Sequence, residues 1–254
     1  MFKRIFSKLL PPEHGTVQEI INFNHPNEIN KVLTRCDQEL GGFSTVNLDI
    51  VPNPDDSKTN VAHFHGYLNL DTPPNRPDIT HSGYAMWRIK DQERTFFNKD
   101  RYLDWSAYNQ VALRVKGDHR KYLINIQADA PKDTDIFQHR LFLNNPNEWE
   151  TVMVPLNHFV MTNYGIFRDQ DCLNTSMIKT IGIGILDKQF GPYSLYVDWI
   201  KVMCGDNVHK TFVESRMESS NKKLTKEEQK KILEEEQKKI FEEEQKKFPN
   251  SIEG

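Results

Sequence analysis

The sequence has little cysteine, no excess of positive charge and no long apolar run. Its three cysteines, Cys36, Cys172 and Cys204, lie far apart and form no C-x-x-C pair, so they indicate neither a disulfide framework nor a zinc site. We expect buried, inert thiols in a reducing compartment. The formal net charge of -3 argues against a global basic surface for nucleic acid. No stretch approaches the ~18 apolar residues of a membrane-spanning helix, so we expect a soluble or peripheral protein.

Motifs that mark catalytic sites are also missing. The chain has no G-x-S-x-G, no P-loop, no H-E-x-x-H and no G-x-G-x-x-G that opens a helix. Gly182 and Gly184 lie inside an apolar segment that no helix follows, which indicates close contact with a neighbouring backbone. We therefore predict that the protein is not an enzyme and has no catalytic residue, no cofactor and no bound metal.

Between Gly41 and about Cys204 the sequence contains a series of short segments with strand character. Residues 111–116 and 122–127 alternate apolar and polar side chains, as half-buried strands do. The turn-rich link between them, residues 117–120, predicts an antiparallel hairpin. Further strands are predicted at residues 44–51, 62–70, 84–89, 151–154, 178–185 and 194–200, with a short helix at 27–36. Strands at this spacing without intervening helices predict an all-β fold, a β-sandwich or jelly roll.

Two groups of polar side chains have the residue types of metal ligands. His63 and His65 alternate on one predicted strand and therefore share a face, but no third ligand stands nearby in sequence. A pair of hydrogen-bonded or solvent-facing histidines is the favoured interpretation. Asp129, Asp133 and Asp135 occupy one loop, where calcium would need six or more oxygen ligands at defined positions. A solvated acidic loop is favoured there.

The four tryptophans are candidates for a platform that stacks on sugar rings. They are Trp87, Trp105, Trp149 and Trp199. Aromatic residues at strand positions more often pack inside a sandwich or between its sheets, and we favour that interpretation.

The first ten residues, MFKRIFSKLL, differ from the strand-rich part. They carry Lys3, Arg4 and Lys8, with no acidic residue before Glu13, and their apolar residues recur at helical spacing. A helix here would be basic and amphipathic, like a mitochondrial presequence or an interfacial anchor. We predict that these three cations contact a membrane surface, with a disordered basic terminus as the alternative.

The end of the chain is rich in lysine and glutamate. From Lys226 the sequence repeats KEEQKK, EEEQKK and EEEQKK at intervals of eight residues, which places glutamate four residues before lysine and predicts a helix. A period of eight does not give the straight apolar seam of a coiled coil. We predict three parts: a basic segment at 1–19, a β-sandwich at 20–205, and a linker with a charged helical tail at 206–254.

Five sequence motifs, in order, resemble those of one known family. They are GGFS at 41–44, DWSAYNQVALRVKGD at 104–118, WETVMVPLNHF at 149–159, IGIGILD at 181–187 and GPYSLYVDWI at 191–200. The match in order and spacing runs from about residue 20 to residue 202. The chain thereby resembles the complex I intermediate-associated proteins, assembly factors of mitochondrial NADH:ubiquinone oxidoreductase.

This resemblance implies a galactose-binding-like jelly-roll β-sandwich and a role as a non-enzymatic chaperone. The implied client is an early membrane-arm intermediate of complex I, bound with other assembly factors on the matrix side of the inner mitochondrial membrane. The motif residues look structural and supply no catalytic group. The chain departs from the family at Tyr164-Gly165, where an Arg-Gly pair is common. The alternative is a carbohydrate-binding module, which shares the fold but usually follows a secretory signal peptide with an apolar segment that residues 1–10 lack.

A client-binding loop is predicted at residues 91–102. The loop contains two arginines and two adjacent phenylalanines in a pattern too irregular for a strand, and transient interfaces use such anchors. The predicted partner-binding residues are Arg94, Phe96, Phe97 and Arg101. Alternatively, the two phenylalanines close the edge of the core.

Overall fold

The computed structural model describes residues 15–79, 82–91, 102–130, 132, 134–163, 166–168 and 172–205. The described residues form thirteen strands: β1 Val17–Asn22, β2 Val32–Cys36, β3 Thr45–Asn53, β4 Asp56–Leu68, β5 Ala85–Ile89, β6 Gln110–Gly117, β7 Tyr122–Ala128, β8 Asp135–Leu141, β9 Glu150–Pro155, β10 Val160–Asn163, β11 Ile166–Phe167, β12 Ile178–Ile185 and β13 Gly191–Met203. Short 3₁₀ helices occupy Pro26–Lys31, Asp37–Leu40 and Leu156–His158.

The strands pair antiparallel in two sheets that pack face to face. One sheet has six strands in the order β3-β4-β13-β6-β9, with β1 also paired to β13. The other has seven strands in the order β11-β10-β8-β7-β12-β5-β2. This arrangement confirms the predicted all-β sandwich.

The core lies between the two sheets and is supplied by alternate residues of each strand. In β7 the buried side chains are Tyr122, Ile124 and Ile126, and in β6 they include Leu113 and Val115. Successive residues of a strand point to opposite faces, so these two strands present their apolar sides to each other across the sandwich. Full burial of a large apolar side chain contributes roughly 1.5–3 kcal/mol.

The predicted hairpin of residues 111–127 is wrong. β6 pairs with β9 and β13 in the six-stranded sheet, whereas β7 pairs with β8 and β12 in the other. Both strands have one apolar face, and a crossing between sheets lets both faces enter the same core. Alternation within each strand does not distinguish a hairpin from such a crossing, because both bury every second residue.

The predicted helix at residues 27–36 is also only partly right. A 3₁₀ helix covers Pro26–Lys31, but Val32–Cys36 is a strand that pairs with β5. Pairing buries the side chains of Val32 and Cys36 against the core, and tertiary contacts of this kind override local helix propensity. The predicted close packing at Gly182 is confirmed, since a Cβ there would lie 2.0 Å from the carbonyl oxygen of Trp87.

The sandwich has two distinct ends. At the turn end, β6 leads into β7 and β12 leads into β13. At the opposite, terminal end, the first and last described segments meet: the Gly15 N–H donates to the Cys204 carbonyl at 2.9 Å. Asn109 also holds Gly205 there through two hydrogen bonds of 2.8 and 3.0 Å.

The chain divides into two units, Met1–Asp206 and Asn207–Gly254, and every described residue belongs to the first. Residues 1–14 of the predicted basic segment 1–19 and the whole predicted tail 206–254 lie outside the described residues, so their predicted helices stay predictions. In the part of the chain that is described, no helix has the length and apolarity needed to cross a bilayer.

Candidate protein-binding surface

The site residues predicted from sequence all lie outside the described part of the chain and stay predictions. They are Arg94, Phe96, Phe97 and Arg101 in the loop, and Lys3, Arg4 and Lys8 at the start. The flanks of the loop are described: the Lys90 N–H donates to the Lys31 carbonyl at 2.8 Å, and Leu103 bridges to Ile178. Both flanks are at the terminal end, so the loop leaves the sandwich there.

The six-stranded sheet carries a group of aromatic side chains on its outer face. In β4 the side chains of Ala62, Phe64 and Leu68 enter the core, so His63 and His65 point outward. In β13 the alternation likewise turns residues 194 and 196 outward. The register places position 196 directly opposite His63 and position 194 opposite His65.

Three rings stack in a row on this face. The ring centroids of Tyr196 and His63 lie 4.2 Å apart, as do those of His63 and His65. Nε2 of His63 is 2.8 Å from Oγ of Ser194, and Nε2 of His65 is 2.9 Å from Oδ2 of Asp49. The two histidines therefore share a face and are hydrogen-bonded, as predicted. Burial, with a smaller effect of the neighbouring His65, lowers the pKa of His63.

Two further aromatic rings on this face are covered by cations. Nζ of Lys201 lies 4.5 Å from the ring centroid of Trp199, and the Arg114 guanidinium lies 5.6 Å from that of Trp149. Nε of Arg114 is 3.3 Å from Oδ2 of Asp198. Burial raises the pKa of the Asp198 carboxyl, although Arg114 and Lys201 oppose this change. Cation–π contacts hold the long basic side chains against the rings.

The tryptophans thus divide into two pairs. Trp87 and Trp105 are 0% exposed and belong to the core, where packing was the favoured interpretation. Trp149 and Trp199 are half-buried on the outer face. No partner is present for the buried indole N–H of Trp149 among the described residues.

The tip of the β3–β4 hairpin bends over the same face. Nζ of Lys116 in β6 donates to both carboxylate oxygens of Asp55 at 3.0 Å, although Asp55 lies beyond the part of the hairpin that pairs with β13. The Asn60 N–H donates to Oδ1 of Asn24. Val61, in the same hairpin, is 0% exposed without belonging to the main core.

We call the side chains of His63, His65, Trp149, Tyr196 and Trp199, with their cations Arg114 and Lys201, the aromatic face. The face also contains a hydrogen-bonded hydroxyl and imidazole, those of Ser194 and His63, on adjacent strands of the sheet. Tyrosine, tryptophan and arginine in half-buried positions are the residues that dominate binding energy in protein interfaces. The arrangement is therefore suited to binding another protein.

The predicted metal-ligand groups do not form a metal site among the described residues, where no three His, Cys, Asp or Glu side chains group as ligands. Asp129 accepts a hydrogen bond from the Tyr102 hydroxyl at 3.0 Å. Asp135 is buried and accepts hydrogen bonds from Asn163 and from the Lys132 N–H. Asp133 lies outside the described residues. The three cysteines are free, with Cys36 buried and Cys172 exposed.

The family motifs meet in a buried ion pair at the turn end. Nε and Nη2 of Arg120 donate to the Asp187 carboxylate at 2.6 and 2.8 Å, and the same guanidinium donates to the carbonyls of Gln189 and Pro192. Burial alone would raise the pKa of the Asp187 carboxyl, but the Arg120 hydrogen bonds and charge outweigh it and hold that pKa below its usual value. The pair fixes the loop between β12 and β13 to the turn after β6.

Asp118 extends this network. Its Oδ1 accepts from the Arg120 N–H at 2.9 Å and from the Tyr122 hydroxyl at 3.0 Å, and its Oδ2 accepts from the Ser194 N–H at 2.8 Å. Burial, with the charge of Asp118, raises the pKa of Tyr122. The K-G-D, I-L-D and G-P-Y-S motifs therefore serve one structural function: they join the two sheets at this end.

Asp37 is a buried carboxylate that sequence reasoning did not single out. It accepts four hydrogen bonds of 2.7 to 2.9 Å, from the N–H and hydroxyl of Ser44, the hydroxyl of Ser82 and the N–H of Gly83. A Cβ at Gly42 would lie 2.5 Å from its Cγ, which explains a glycine there. The available signal was the G-G-x-S motif itself, whose serine needs an acceptor when buried.

Comparison with known proteins gives relatives that share one name. The sequence profile of the family described as Complex I intermediate-associated protein 30 (CIA30) matches residues 21–197. The Neurospora crassa protein named "Complex I intermediate-associated protein 30, mitochondrial" is 34% identical over 199 residues, 71% of each chain. Proteins of the same name from Mus musculus and Drosophila melanogaster are 29% and 27% identical over 78% and 73% of this chain. The chain spans 62% of the mouse and fly proteins, less than two thirds of their length.

Solved structures similar to the sandwich include carbohydrate-binding modules. The family 11 module from Clostridium thermocellum, in complex with a mixed-linked tetrasaccharide, aligns with a TM-score of 0.52 at 14% identity. The alignment covers 76% of this chain and 97% of that module, and similarity at this level concerns the fold alone. The profile match covers more than half of the sequence and the Neurospora relative exceeds 30% identity, so the resemblance read from the five motifs is confirmed: the chain belongs to the complex I intermediate-associated protein 30 family.

Proposed function

We propose that this chain assists the assembly of respiratory complex I as a non-enzymatic factor. In this proposal it binds an early membrane-arm intermediate, together with other assembly factors, on the matrix side of the inner mitochondrial membrane. The observation that carries the proposal is the family match over residues 21–197, since the relatives are named for association with a complex I intermediate and for mitochondria.

The geometry supports a binding role. Asp118 and Asp187 of the family motifs, with Arg120 beside them, hold the sandwich together at the turn end. The aromatic face offers tyrosine, tryptophan and arginine side chains at fixed positions on a rigid sheet. Fixed side chains lose little conformational entropy when a client binds, so more of the contact energy appears as affinity.

Depletion followed by rescue tests this function. Cells that lack the protein should accumulate unassembled complex I subunits on native gels, and re-expression of the full chain should restore the mature complex. Normal complex I on native gels after complete depletion would overturn the proposal. Assay of the same mitochondria for the other respiratory complexes controls for a general defect.

The carbohydrate-binding alternative has no observation in its favour beyond the fold, and fold does not fix function. Sugar rings stack on open aromatic faces, whereas Lys201 lies over Trp199 and Arg114 lies over Trp149. A sugar would have to displace both cations from the outer face.

A further inference from the structure

Exposed apolar side chains concentrate at the turn end of the sandwich. Among the described residues, six of the ten exposed large hydrophobic side chains lie there, each 40–54% exposed: Leu40, Phe43, Tyr67, Phe142, Leu186 and Phe190. They stand at the ends of β2, β4, β8 and β12 and just before β3 and β13. Exposed apolar clusters of this kind mark sites of interaction with proteins or membranes.

The loop that carries two of these side chains is held rigidly. Leu186 and Phe190 flank the β12–β13 loop, and Arg120 binds three of its groups: the Asp187 carboxylate and the carbonyls of Gln189 and Pro192. These four hydrogen bonds fix the path of the loop, so its apolar side chains stay exposed instead of folding inward. The exposure of Phe190 is thus imposed by the fold.

Unpaired cations surround the same loop. Lys121 and Lys188 are exposed, and neither forms an ion pair within the described residues. The two acidic residues of these loops, Asp118 and Asp187, are instead turned inward and hydrogen-bonded. Nearby, the Arg140 guanidinium lies 5.0 Å from the ring centroid of the exposed Phe142. The exposed side chains of the β6–β7 and β12–β13 loops therefore combine apolar groups with positive charge.

Exposed carboxylates at the turn end belong to other loops. Glu39 is paired with Arg35 at 3.6 Å, while Asp71 and Glu148 follow β4 and precede β9. Within the β6–β7 and β12–β13 loops themselves, the exposed charged side chains are those of Lys121 and Lys188.

We propose that the turn end binds the surface of an anionic phospholipid bilayer, with Leu186 and Phe190 inserted among the headgroups and Lys121 and Lys188 on the phosphates. The apolar side chains stand on separate loops with polar backbone between them, and do not line one groove. A fluid bilayer accommodates separate protrusions, whereas a folded protein partner would need a matching cavity for each. Aromatic side chains favour this interfacial depth, and each lysine near an anionic surface adds to binding.

This inference goes beyond the proposed function and does not depend on it. When the turn end docks on the bilayer, the strands of both sheets run away from the membrane surface. The aromatic face then lies on the side of the sandwich and not against the membrane. Gly15, the first described residue, then lies at the opposite end, about as far from the bilayer as the length of β13. The contact predicted for Lys3, Arg4 and Lys8 is a separate prediction, and substitution of each group of residues distinguishes the two.

Vesicle flotation of the purified full chain tests the proposal. The chain should float with vesicles of phosphatidylcholine mixed with phosphatidylglycerol and much less with phosphatidylcholine alone. The Leu186→Ser and Phe190→Ser substitutions should each lower the partition coefficient roughly tenfold, because each removes an apolar side chain from the interface. Lys121→Ala and Lys188→Ala should each lower it about fivefold, and this part should disappear in high salt.

Matched control variants distinguish insertion of the turn end into the membrane from nonspecific adsorption through any exposed apolar side chain. Met153→Ser and Ile166→Ser remove side chains that are 54% and 70% exposed away from the turn end, and neither should change flotation. Thermal unfolding of every variant should match that of the parent, since all the changed side chains are exposed.

The proposal is overturned if the parent chain does not float with anionic vesicles, or if the control variants lose binding equally. The proposal is also overturned if substitution of Lys3, Arg4 and Lys8 by alanine abolishes flotation while the Leu186 and Phe190 variants still float. Because only pure lipid is used, failure here leaves the complex I proposal untouched.

Discussion

Single residues carry much of the evidence for what this sandwich needs in order to fold. Arg120 and Asp187 are 67 residues apart in sequence, yet they form a bidentate pair with the Asp187 side chain fully buried. Burying a charge costs several kcal/mol unless a partner and hydrogen bonds compensate it. Here the guanidinium and two backbone N–H groups, of Lys121 and Gln189, provide that compensation.

Removing one member of this pair should therefore be more damaging than removing both. We expect Arg120→Met to lower the free energy of unfolding by about 3–5 kcal/mol, because Asp187 stays buried without its partner. The double variant Arg120→Met with Asp187→Leu should recover much of that loss. Urea unfolding measures both, and Arg76→Met, which breaks an exposed pair with Asp78, should have little effect. Equal destabilisation by the single and double variants would contradict this account.

Two histidines should make stability depend on pH. Burial lowers the pKa of His63, with a further effect of His65, and burial and the nearby His158 lower that of His139, against a backbone hydrogen bond at Arg140. As the pH falls, the two histidines therefore become protonated in the unfolded chain before they do in the folded chain. Their contribution to the free energy of unfolding is complete above the ordinary pKa of 6.5 and is lost as the pH falls below it.

Substitution tests this pH dependence. Replacing both residues, His63→Gln with His139→Asn, should flatten the fall in unfolding free energy between about pH 7 and pH 5. Urea unfolding across that range is the measurement, and His119→Gln, at an exposed position, serves as the control. An unchanged slope in the double variant would show that other groups govern acid stability.

At the scale of strands and loops, the sequence predicted which segments form strands better than it predicted which strands pair with each other. Most strands of the core were predicted because Leu113, Val115, Ile124 and Ile126 alternate with polar residues. Which strand pairs with which depends on contacts distant in sequence, and so residues 111–127 were read as a hairpin although they cross between sheets. The strand Val32–Cys36 was missed because only its two end residues are buried. Prediction of the aromatic face was limited in the same way. The alternation of His63 and His65 along their strand was visible in the sequence. The position of Trp199 opposite Arg114 could not be predicted, because it depends on the register of β13 with β6.

The bent tip of the β3–β4 hairpin gives a prediction at this scale. Lys116→Ala should free Asp55 and speed amide hydrogen exchange in residues 53–60, because the ion pair holds the tip over the outer face. Global stability should change by less than about 1 kcal/mol, as is usual for pairs with an exposed member. Lys58→Ala, an exposed lysine of the same hairpin, provides the matched control. Exchange that is unchanged in Lys116→Ala would show that the hydrogen bond from the Asn60 N–H to Asn24 and the strand pairing suffice to hold the tip.

The whole molecule presents different chemistry on different sides. The outer face of the six-stranded sheet has three stacked rings and two tryptophans covered by cations. The turn end has apolar side chains with lysines, and the terminal end carries both ends of the described chain and the flanks of the predicted client loop. These regions lie on different sides of the buried core. We propose that the aromatic face contacts the client and that the turn end contacts the bilayer.

The two surfaces should therefore be separable by mutation in mitochondria. We expect Tyr196→Ala with Trp199→Ala to weaken co-purification with complex I intermediates, by at least roughly thirtyfold in affinity if one of the two residues behaves as an interface hot spot, while the protein stays in the membrane fraction. Leu186→Ser with Phe190→Ser should do the reverse: the chain should move into the matrix supernatant after carbonate-free lysis yet still bind solubilised intermediate. Circular dichroism and thermal unfolding of each purified variant establish that the sandwich is intact. If both variants lose both contacts while remaining folded, the client and the membrane are bound as one composite surface, and the assignment of separate roles to the aromatic face and the turn end is wrong.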